Sequence, residues 1–381
     1  MTTIAQVIGG LQRDPSVVAG RALAAAFATQ RQQTPFVRVP RRAARRCWDG
    51  VVVTAAVPMD TFIGELPAAW LAPRGIALEV IRLDDRVDLE RFRALPLGLR
   101  WLLDVGALMD LPPIGAAVQA AGGRLFANLA DDLGSTHPAW PGWLAALQAQ
   151  SQPELERRLA ACDGIVINAP ALRAVAARYN RNIIEIPVAP PPLRDFAPRP
   201  VRPGRARRVG YAGTWAHVSD LDLIREPVVD WLTHEAGGVF AIAGQAFPAW
   251  VDTHPGIECY PGALRLAGYY RQLAALDLDL FCVPLADTAF NRGKTPLKAI
   301  EAAALGLPCI VSDVAPYRGV LSEVTGHLLV ENTAAAWSAA LDRLTSNDML
   351  RLQLATAGRA WAATKTIEAV GPLWEKFWTG H

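Results

Sequence analysis

Short apolar runs alternate with amphipathic stretches along most of the chain. Each run is short enough to be one buried strand, and the stretches between the runs have helical spacing. Strands that alternate with helices in this way predict parallel βαβ units. In the first half we predict strands at 51–57, 76–81, 124–129, 164–168 and 183–187, and helices at 86–103, 155–162 and 169–179.

The second half repeats the alternation more regularly. A stretch with seven prolines, residues 187–203, separates the two halves, and so many missing backbone donors exclude a helix or a sheet there. We therefore predict an α/β protein of two doubly wound domains joined by a semi-rigid linker. The strands predicted in the second half are 208–213, 238–244, 257–260, 278–285 and 308–313, with helices beginning near 221, 269, 295, 338, 349 and 367.

The composition is that of a folded globular protein, with 51% apolar and 19% charged residues. The net charge of +2 is too small to indicate a nucleic-acid partner. Arginines cluster at 38–46 and 199–208; we interpret them as solvated surface and linker, or alternatively as a surface attracted to an anionic membrane face.

The five cysteines lack metal-ligand spacing, no apolar run is long enough to span a membrane, and the first residues do not resemble a signal peptide. We expect no metal site. We expect a cytoplasmic protein, with peripheral contact at the inner membrane face as the alternative.

The strongest chemical signal lies between the predicted strands 278–285 and 308–313. We predict a loop there, followed by a helix with Thr295 as its N-cap, Pro296 as its first residue and Gly306 as its C-cap.

Charge makes this helix unusual. Arg292, Lys294 and Lys298 crowd its start, where the peptide dipoles already supply positive partial charge and make cations unfavourable. Such an arrangement is typical of a site that binds an anion, most often a phosphate. Glu301 lies three residues after Lys298 and shares its helix face. A cation for phosphate and a carboxylate for hydroxyl groups, one turn apart, suit a nucleotide diphosphate and its ribose.

A second polar cluster follows the predicted strand 208–213. Gly213 and Thr214 form a tight turn where a ligand could approach the backbone. His217 lies at the expected cleft edge, where it could donate a hydrogen bond to a phosphate or a hydroxyl group. Asp220 follows, and we leave open whether it contributes to the site or only caps the next helix.

Acidic residues also end a strand of the first half. Asp131 and Asp132 follow the strand 124–129, and His137 lies just beyond. Two interpretations stay open, namely polar contact with a substrate, or a solvated loop in which Asp132 caps a turn.

Together, these segments resemble the donor site of group 1 (family 4-like) glycosyltransferases of the GT-B fold. The resemblance is specific over about residues 208–320 and weak before them. The residues that carry it are Gly210-Tyr-Ala-Gly-Thr214-x-x-His217-x-x-Asp220, Phe281-Cys-Val-Pro-Leu285, Lys294-Thr295-x-x-Lys298-x-x-Glu301 and Gly306-Leu-Pro308.

The resemblance implies two Rossmann-like domains that face a cleft. Residues 1–200 would form the acceptor-side domain, residues 201–362 the nucleotide-sugar-binding domain, and residues 363–381 a helix that returns toward the first domain. The implied activity is that of a hexosyltransferase-type enzyme of polysaccharide biosynthesis. It would transfer a sugar from a nucleotide-diphospho-sugar to a glycan, lipid-linked or protein acceptor, with retention of configuration, and with no cofactor or metal ion. One alternative is a non-catalytic relative that binds a nucleotide sugar or glycan within an assembly, and another is a different GT-B enzyme such as a nucleotide-sugar epimerase or hydrolase.

The resemblance assigns the diphosphate and ribose contacts position by position, and the polar clusters described above supply the other candidates. Asp132 and His217 would be catalytic, and Glu301 would bind the ribose. Many family members have a sugar-contacting glutamate eight positions before the residue that matches Glu301, and here that position is Gly293. The donor diphosphate would be bound by Gly213, Thr214, Arg292, Lys294 and Lys298, and the sugar or acceptor contacted by Asp131, His137 and Asn291.

Overall fold

The computed structural model describes residues 48–55, 59–83, 95–111, 114–136, 142–190, 200–262 and 266–380. Two parallel sheets of six strands each organise these residues. The first sheet has the order β2-β1-β3-β4-β5-β6 and the second the order β12-β11-β10-β7-β8-β9. The first six strands are β1 (Gly50–Thr54), β2 (Leu78–Arg82), β3 (Arg100–Asp104), β4 (Arg124–Leu129), β5 (Gly164–Ile167) and β6 (Ile183–Glu185). The other six are β7 (Arg208–Gly213), β8 (Val239–Gly244), β9 (Ile257–Pro261), β10 (Leu280–Val283), β11 (Cys309–Ser312) and β12 (His327–Val330).

Helices connect the strands and cover both faces of each sheet. Burial on both faces explains why the strands are continuous apolar runs rather than alternating ones, as in Val51-Val-Val53, where each residue is fully buried. The described α-helices are α1 (Leu66–Leu71), α2 (Val105–Asp110), α3 (Ile114–Ala120), α4 (Gly142–Ala161), α5 (Arg173–Ala176), α6 (Arg225–His234), α7 (Leu266–Ala275), α8 (Leu297–Ala304), α9 (Ala334–Ser346), α10 (Asp348–Ala362) and α11 (Ile367–Thr379).

Two strands were not predicted as such. Arg100–Asp104, which the sequence placed in a helix, is β3 and lies between β1 and β4. Its apolar centre, Trp101 to Leu103, is fully buried, and a run this short has no periodicity that separates a strand from a helix. His327–Val330 was not predicted at all; as the outermost strand of the second sheet it is only four residues long.

The last helix, α11, packs on the first sheet although it follows the second sheet in sequence. Its Phe377 ring meets the Phe126 ring edge to face at a centroid distance of 5.0 Å. Trp374 and Trp378 are buried in the same cluster. This crossing ties the carboxyl end of the chain to the first sheet.

Several sequence features fall outside the described residues, namely the arginine cluster at 38–46, the first half of the predicted helix 86–103, His137 and the linker prolines between 191 and 199. The domain boundaries therefore stay a prediction. Among the described helices, none combines the length and apolarity needed to cross a membrane.

Candidate functional site

The loops after β4, β7 and β10 converge at one place, where helix α8 begins. These loops follow the carboxyl ends of parallel strands, which is where open α/β sheets bind ligands. α8 starts at Leu297, after Pro296, and no side chain caps it, so the prediction of Thr295 as N-cap is wrong. At the carboxyl end of α8, Gly306 terminates the helix as predicted. Gly306 has a left-handed φ of 78°, and the Leu307 N–H donates to the Ala302 carbonyl at 2.9 Å, which closes the helix in a Schellman motif.

Lys298 lies on the first turn of α8 and is half-buried. Its Nζ is 5.3 Å from the centre of the Tyr211 ring, and no described residue donates to it or accepts from it in a hydrogen bond or ion pair. Burial lowers the pKa of Lys298 to about 8, with Asp220 opposing the shift and Lys294 adding to it. A half-buried ammonium group without an anionic partner is poised to bind one.

Glu301 lies one turn further along α8 and is only 3% exposed. Tyr270 donates its hydroxyl to Oε1 at 2.6 Å, and Tyr269 donates to Oε2 at 3.1 Å. Burial raises the pKa of Glu301 to about 7 despite these donors and the nearby Lys298. The sequence reasoning missed both tyrosines, and nothing in their spacing connects α7 to α8.

A hydrogen-bonded hub joins the loop after β7 to the loop after β10. The Asp220 carboxylate, which is fully buried, lies 2.8 Å from Nδ1 of His217 through Oδ2. Its Oδ1 accepts from the Ala286 N–H at 2.9 Å and from the Asn291 side-chain amide at 3.0 Å. Asp220 is thus part of the site and does not simply cap a helix.

Burial is the main cause that lowers the pKa of His217, to about 3, and the Lys298 and Lys294 charges lower it further against Asp220. The imidazole is therefore neutral. Because the Asp220 carboxylate only accepts, the proton lies on Nδ1 and Nε2 is an acceptor. In this tautomer Nε2 carries no proton, so His217 cannot donate a hydrogen bond to a phosphate as expected from the sequence.

Lys294 reaches across the cleft. Its Nζ lies 2.7 Å from Oδ1 of Asp131, in the loop after β4, and 4.1 Å from the centre of the Phe290 ring. Beside it, Gly293 packs so closely on the first domain that a Cβ atom would lie 2.8 Å from Cδ2 of Leu172. The glycine at this position therefore allows the two domains to touch.

Asp132 is largely occupied by its own turn. Its Oδ1 accepts from the Gly134 N–H at 3.1 Å, and its Oδ2 accepts from the Ser135 hydroxyl at 2.8 Å. Arg178 lies 3.7 Å from the same Oδ2. The interpretation of Asp132 as a turn cap is therefore the one that this geometry favours, and its catalytic role stays a prediction without geometric support.

Two other predicted residues are placed differently from what their assigned roles need. Arg292 is exposed and pairs with Asp287 at 2.8 Å, away from the start of α8. Asn291 is 1% exposed, and its amide donates to Asp220 and to the Ala286 carbonyl, so it does not face the cleft. Thr214 is exposed and Gly213 leaves room for the Tyr211 hydroxyl, so their contact with a diphosphate stays a prediction.

The described site thus combines the cations Lys298 and Lys294 and the neutral imidazole of His217 with the carboxyl groups of Asp131, Asp220 and Glu301. Lys298 and Lys294 can stabilise a diphosphate, Glu301 can accept from ribose hydroxyls, and Nε2 of His217 can accept from another hydroxyl. No cluster of potential metal ligands occurs among the residues that the structure describes.

Comparison with known sequences confirms the resemblance over the second domain. The sequence profile of the family described as "Glycosyl transferases group 1" matches residues 206–347, a span that contains β7, α8 and every second-domain site residue. The family match covers this span alone. No curated protein sequence matches the chain.

Solved structures confirm the GT-B fold. Sucrose-phosphate synthase from Thermosynechococcus elongatus has a TM-score of 0.61 and 14% identity, and the match covers 87% of this chain and 98% of that one. Anabaena HepE in complex with UDP-glucose has a TM-score of 0.60 and 11% identity, and the match covers 87% of this chain and 100% of HepE. WaaG, a glycosyltransferase involved in lipopolysaccharide biosynthesis, has a TM-score of 0.57 and 14% identity, and the match covers 87% of this chain and 100% of WaaG. TarM has a TM-score of 0.55 and 14% identity. That match covers 74% of this chain but only 54% of the length of TarM. At such identities the likeness shows the fold alone.

Proposed function

We propose that the chain transfers a sugar from a nucleotide-diphospho-sugar to a glycan, lipid-linked or protein acceptor. One observation carries the proposal: Lys298, a half-buried cation without a hydrogen-bond partner among the described residues, lies one helical turn from the buried carboxylate of Glu301. Both residues lie in the span that matches the glycosyltransferase family.

The diphosphate would lie between the start of α8 and the two lysines. The free N–H groups of the first helical turn and the Lys298 ammonium would stabilise the negative charge that develops as the diphosphate leaves. Lys294 could join them by exchanging Asp131 for the diphosphate. Because cations and a helix terminus supply this charge, we propose transfer without a metal ion. Retention of configuration follows from the family resemblance.

The ribose would lie over Glu301. Each carboxylate oxygen accepts one tyrosine hydroxyl and keeps a lone pair for a ribose hydroxyl. The transferred sugar would then lie toward Asp131 and Nε2 of His217. Since Gly293 carries no side chain, Asp131 is the described carboxylate best placed to contact that sugar, and His217 to accept from a hydroxyl of the sugar or the acceptor.

The acceptor side is the less defined half of the proposal. Peripheral membrane contact has no support from the described arginines of the cluster 199–208, because three of them are paired with acidic residues. These pairs are Arg202 with Asp277 and Asp279, Arg205 with Glu235, and Arg208 with Glu258.

A non-catalytic nucleotide-sugar-binding relative is the second candidate. Two observations favour it, namely Gly293 at the position of the sugar-contacting glutamate and the engagement of Asp132 in its own turn. Both roles need the donor site, so binding alone does not distinguish them, whereas turnover does.

The test is to incubate the protein with UDP-glucose, UDP-N-acetylglucosamine, GDP-mannose and ADP-glucose and to follow nucleoside diphosphate release. UDP-sugars come first, because HepE was solved with UDP-glucose. We expect release with at least one donor, and a loss on the order of 100-fold in Lys298→Ala. Lys376→Ala, an exposed lysine on α11, is the matched control and should keep full activity.

Binding without release in acceptor mixtures would favour the non-catalytic alternative. If Lys298→Ala left nucleotide affinity unchanged, the donor site itself would be wrongly placed.

A further inference from the structure

Asp220 connects two loops of the donor site without facing the cleft itself. It lies in the 3-10 segment Trp215–Ile224 after β7 and is fully buried. Its two oxygens serve different elements. Oδ2 faces His217 Nδ1 at 2.8 Å, whereas Oδ1 accepts from Ala286 and Asn291 in the loop that leads to α8. The carboxylate therefore fixes the imidazole and the second loop at the same time.

The two donors at Oδ1 of Asp220 determine which carboxylate oxygen is left to contact His217. The Ala286 N–H and the Asn291 amide both need an oxygen at that place. The Asn291 orientation is itself set, because the same amide nitrogen donates to the Ala286 carbonyl at 3.0 Å. Only Oδ2 is left for His217, and because an ionised carboxylate oxygen only accepts, the proton lies on Nδ1.

We infer that Asp220 is a positioning residue for sugar transfer, which holds His217 in the tautomer whose Nε2 accepts a hydrogen bond from a hydroxyl group of the sugar or acceptor. Within the described residues no protein atom hydrogen-bonds to Nε2, so this lone pair is available to a ligand. What Nε2 contacts rests on the proposed function, whereas the proton on Nδ1 follows from the contacts of Asp220 and the absence of one on Nε2 from the burial of the ring.

Asp220→Asn turns this geometry into a test. Its amide oxygen would take the Oδ1 place, because two donors point there, and its amide nitrogen would then face Nδ1 of His217. A nitrogen that donates to Nδ1 forces the proton onto Nε2. One substitution thus inverts the tautomer and removes the free acceptor, while the side-chain shape stays the same.

The measurement is the ¹⁵N spectrum of histidine-labelled full-length protein, in which protonated and unprotonated ring nitrogens have distinct shifts. His217→Gln assigns the signal. We expect the proton on Nδ1 in the unchanged protein and on Nε2 in Asp220→Asn. With UDP-glucose, or whichever of the four donors turns over, kcat should fall on the order of 100-fold in Asp220→Asn while KM changes much less.

Asp222→Asn is the matched control. It makes the same chemical change two residues away, where Oδ1 accepts from the Trp250 indole N–H at 2.9 Å and an amide oxygen can still accept. Tautomer and kcat should both stay unchanged in it.

A proton on Nε2 in the unchanged protein would overturn the inference, and this result does not depend on whether any variant folds. An unchanged tautomer in Asp220→Asn, or an equal loss of kcat in Asp222→Asn, would also overturn it. Absence of turnover with every donor would instead count against the proposed function, and the spectra would still decide the role of Asp220.

Discussion

The two sides of the cleft are built in different ways. On the second-domain side, Asp220 and Glu301 are buried, and each is hydrogen-bonded to side chains from other elements. On the first-domain side, the described acidic residues are Asp131, whose side chain is 36% exposed and held by Lys294, and Asp132, which accepts from its own turn. The donor half is therefore organised before a ligand arrives, while in the cleft the opposite half meets it through the Lys294–Asp131 ion pair and the close contact at Gly293.

This difference suggests where affinity and specificity lie. A buried, cross-linked network keeps its geometry, so binding the nucleotide costs little reorganisation. The Lys294–Asp131 ion pair, in which 36% of the aspartate side chain is exposed, lies outside this network and can exchange Asp131 for a ligand. We therefore expect substitutions on the second-domain side to change nucleotide affinity most, and those at the domain contact to change cleft geometry.

The largest effect on nucleotide affinity apart from Lys298 should come from Glu301→Gln. Its amide nitrogen cannot accept from a tyrosine or a ribose hydroxyl, and hydrogen bonds to charged groups contribute about 1.5–3 kcal/mol. The dissociation constant of the nucleotide sugar should rise about 10- to 100-fold by calorimetry. Glu323→Gln, an exposed glutamate paired with Arg343, is the control. An unchanged constant in Glu301→Gln would mean that the ribose lies elsewhere.

The domain contact is tested by Gly293→Ala. The added methyl group would lie 2.8 Å from Cδ2 of Leu172, so the domains must separate or Leu172 must move. Overpacking of this kind costs about 1–3 kcal/mol. We expect a lower melting temperature and a larger radius of gyration in solution scattering. Adding Leu172→Ala should reverse the change in radius, although this truncation of a buried leucine lowers the melting temperature on its own account.

Gly142→Ala is the control for this substitution, because a Cβ at Gly142 has no atom within 4 Å. If Gly293→Ala behaved like Gly142→Ala, the contact between the domains would not persist in solution.

The sequence predicted the donor half better than the contact between the halves. Lys298 and Glu301 share one helix, so their spacing was enough to place them together. The apolar strands were predictable for the same local reason, apart from Arg100–Asp104 and His327–Val330. By contrast, the Lys294–Asp131 pair joins residues 163 positions apart, and no local pattern predicts it.

The tyrosines on Glu301 and the amide of Asn291 on Asp220 were missed for a related reason. Each contact brings together side chains of two different elements, and its direction depends on how those elements pack. For Arg292 the error is the reverse, because the sequence predicted a contact that the structure does not show. Its position beside Lys294 suggested a phosphate contact, but the turn Asn291–Gly293 directs it to Asp287 at the surface.

The pH dependence of nucleotide-sugar affinity tests whether the charges of Lys298 and Glu301 are needed for binding. Lys298, with a pKa of about 8, loses its proton as the pH rises, while Glu301, with a pKa of about 7, gains one as the pH falls. A diphosphate favours the charged lysine, and ribose hydroxyls favour the charged carboxylate, so affinity should be highest between these two values. Above the upper value it should fall about tenfold per pH unit.

A nucleotide sugar is the right probe for this measurement, because its diphosphate keeps the same charge across the range. Lys298→Arg should remove the loss at high pH, since the guanidinium stays charged. A loss that persisted in this variant would assign the titration to another group.

The smallest effect should come from Arg292→Ala. Arg292 is exposed and forms its ion pair with Asp287, and that pair holds the pKa of Asp287 below its usual value. A cation already paired at the surface contributes little at the start of α8, since water and salt screen it. The dissociation constant of the nucleotide sugar should change less than about twofold, whereas Lys298→Ala weakens it strongly. A loss in Arg292→Ala that approached the loss in Lys298→Ala would mean that the loop Asn291–Gly293 turns inward when the donor binds, so that the second-domain side also rearranges around its ligand.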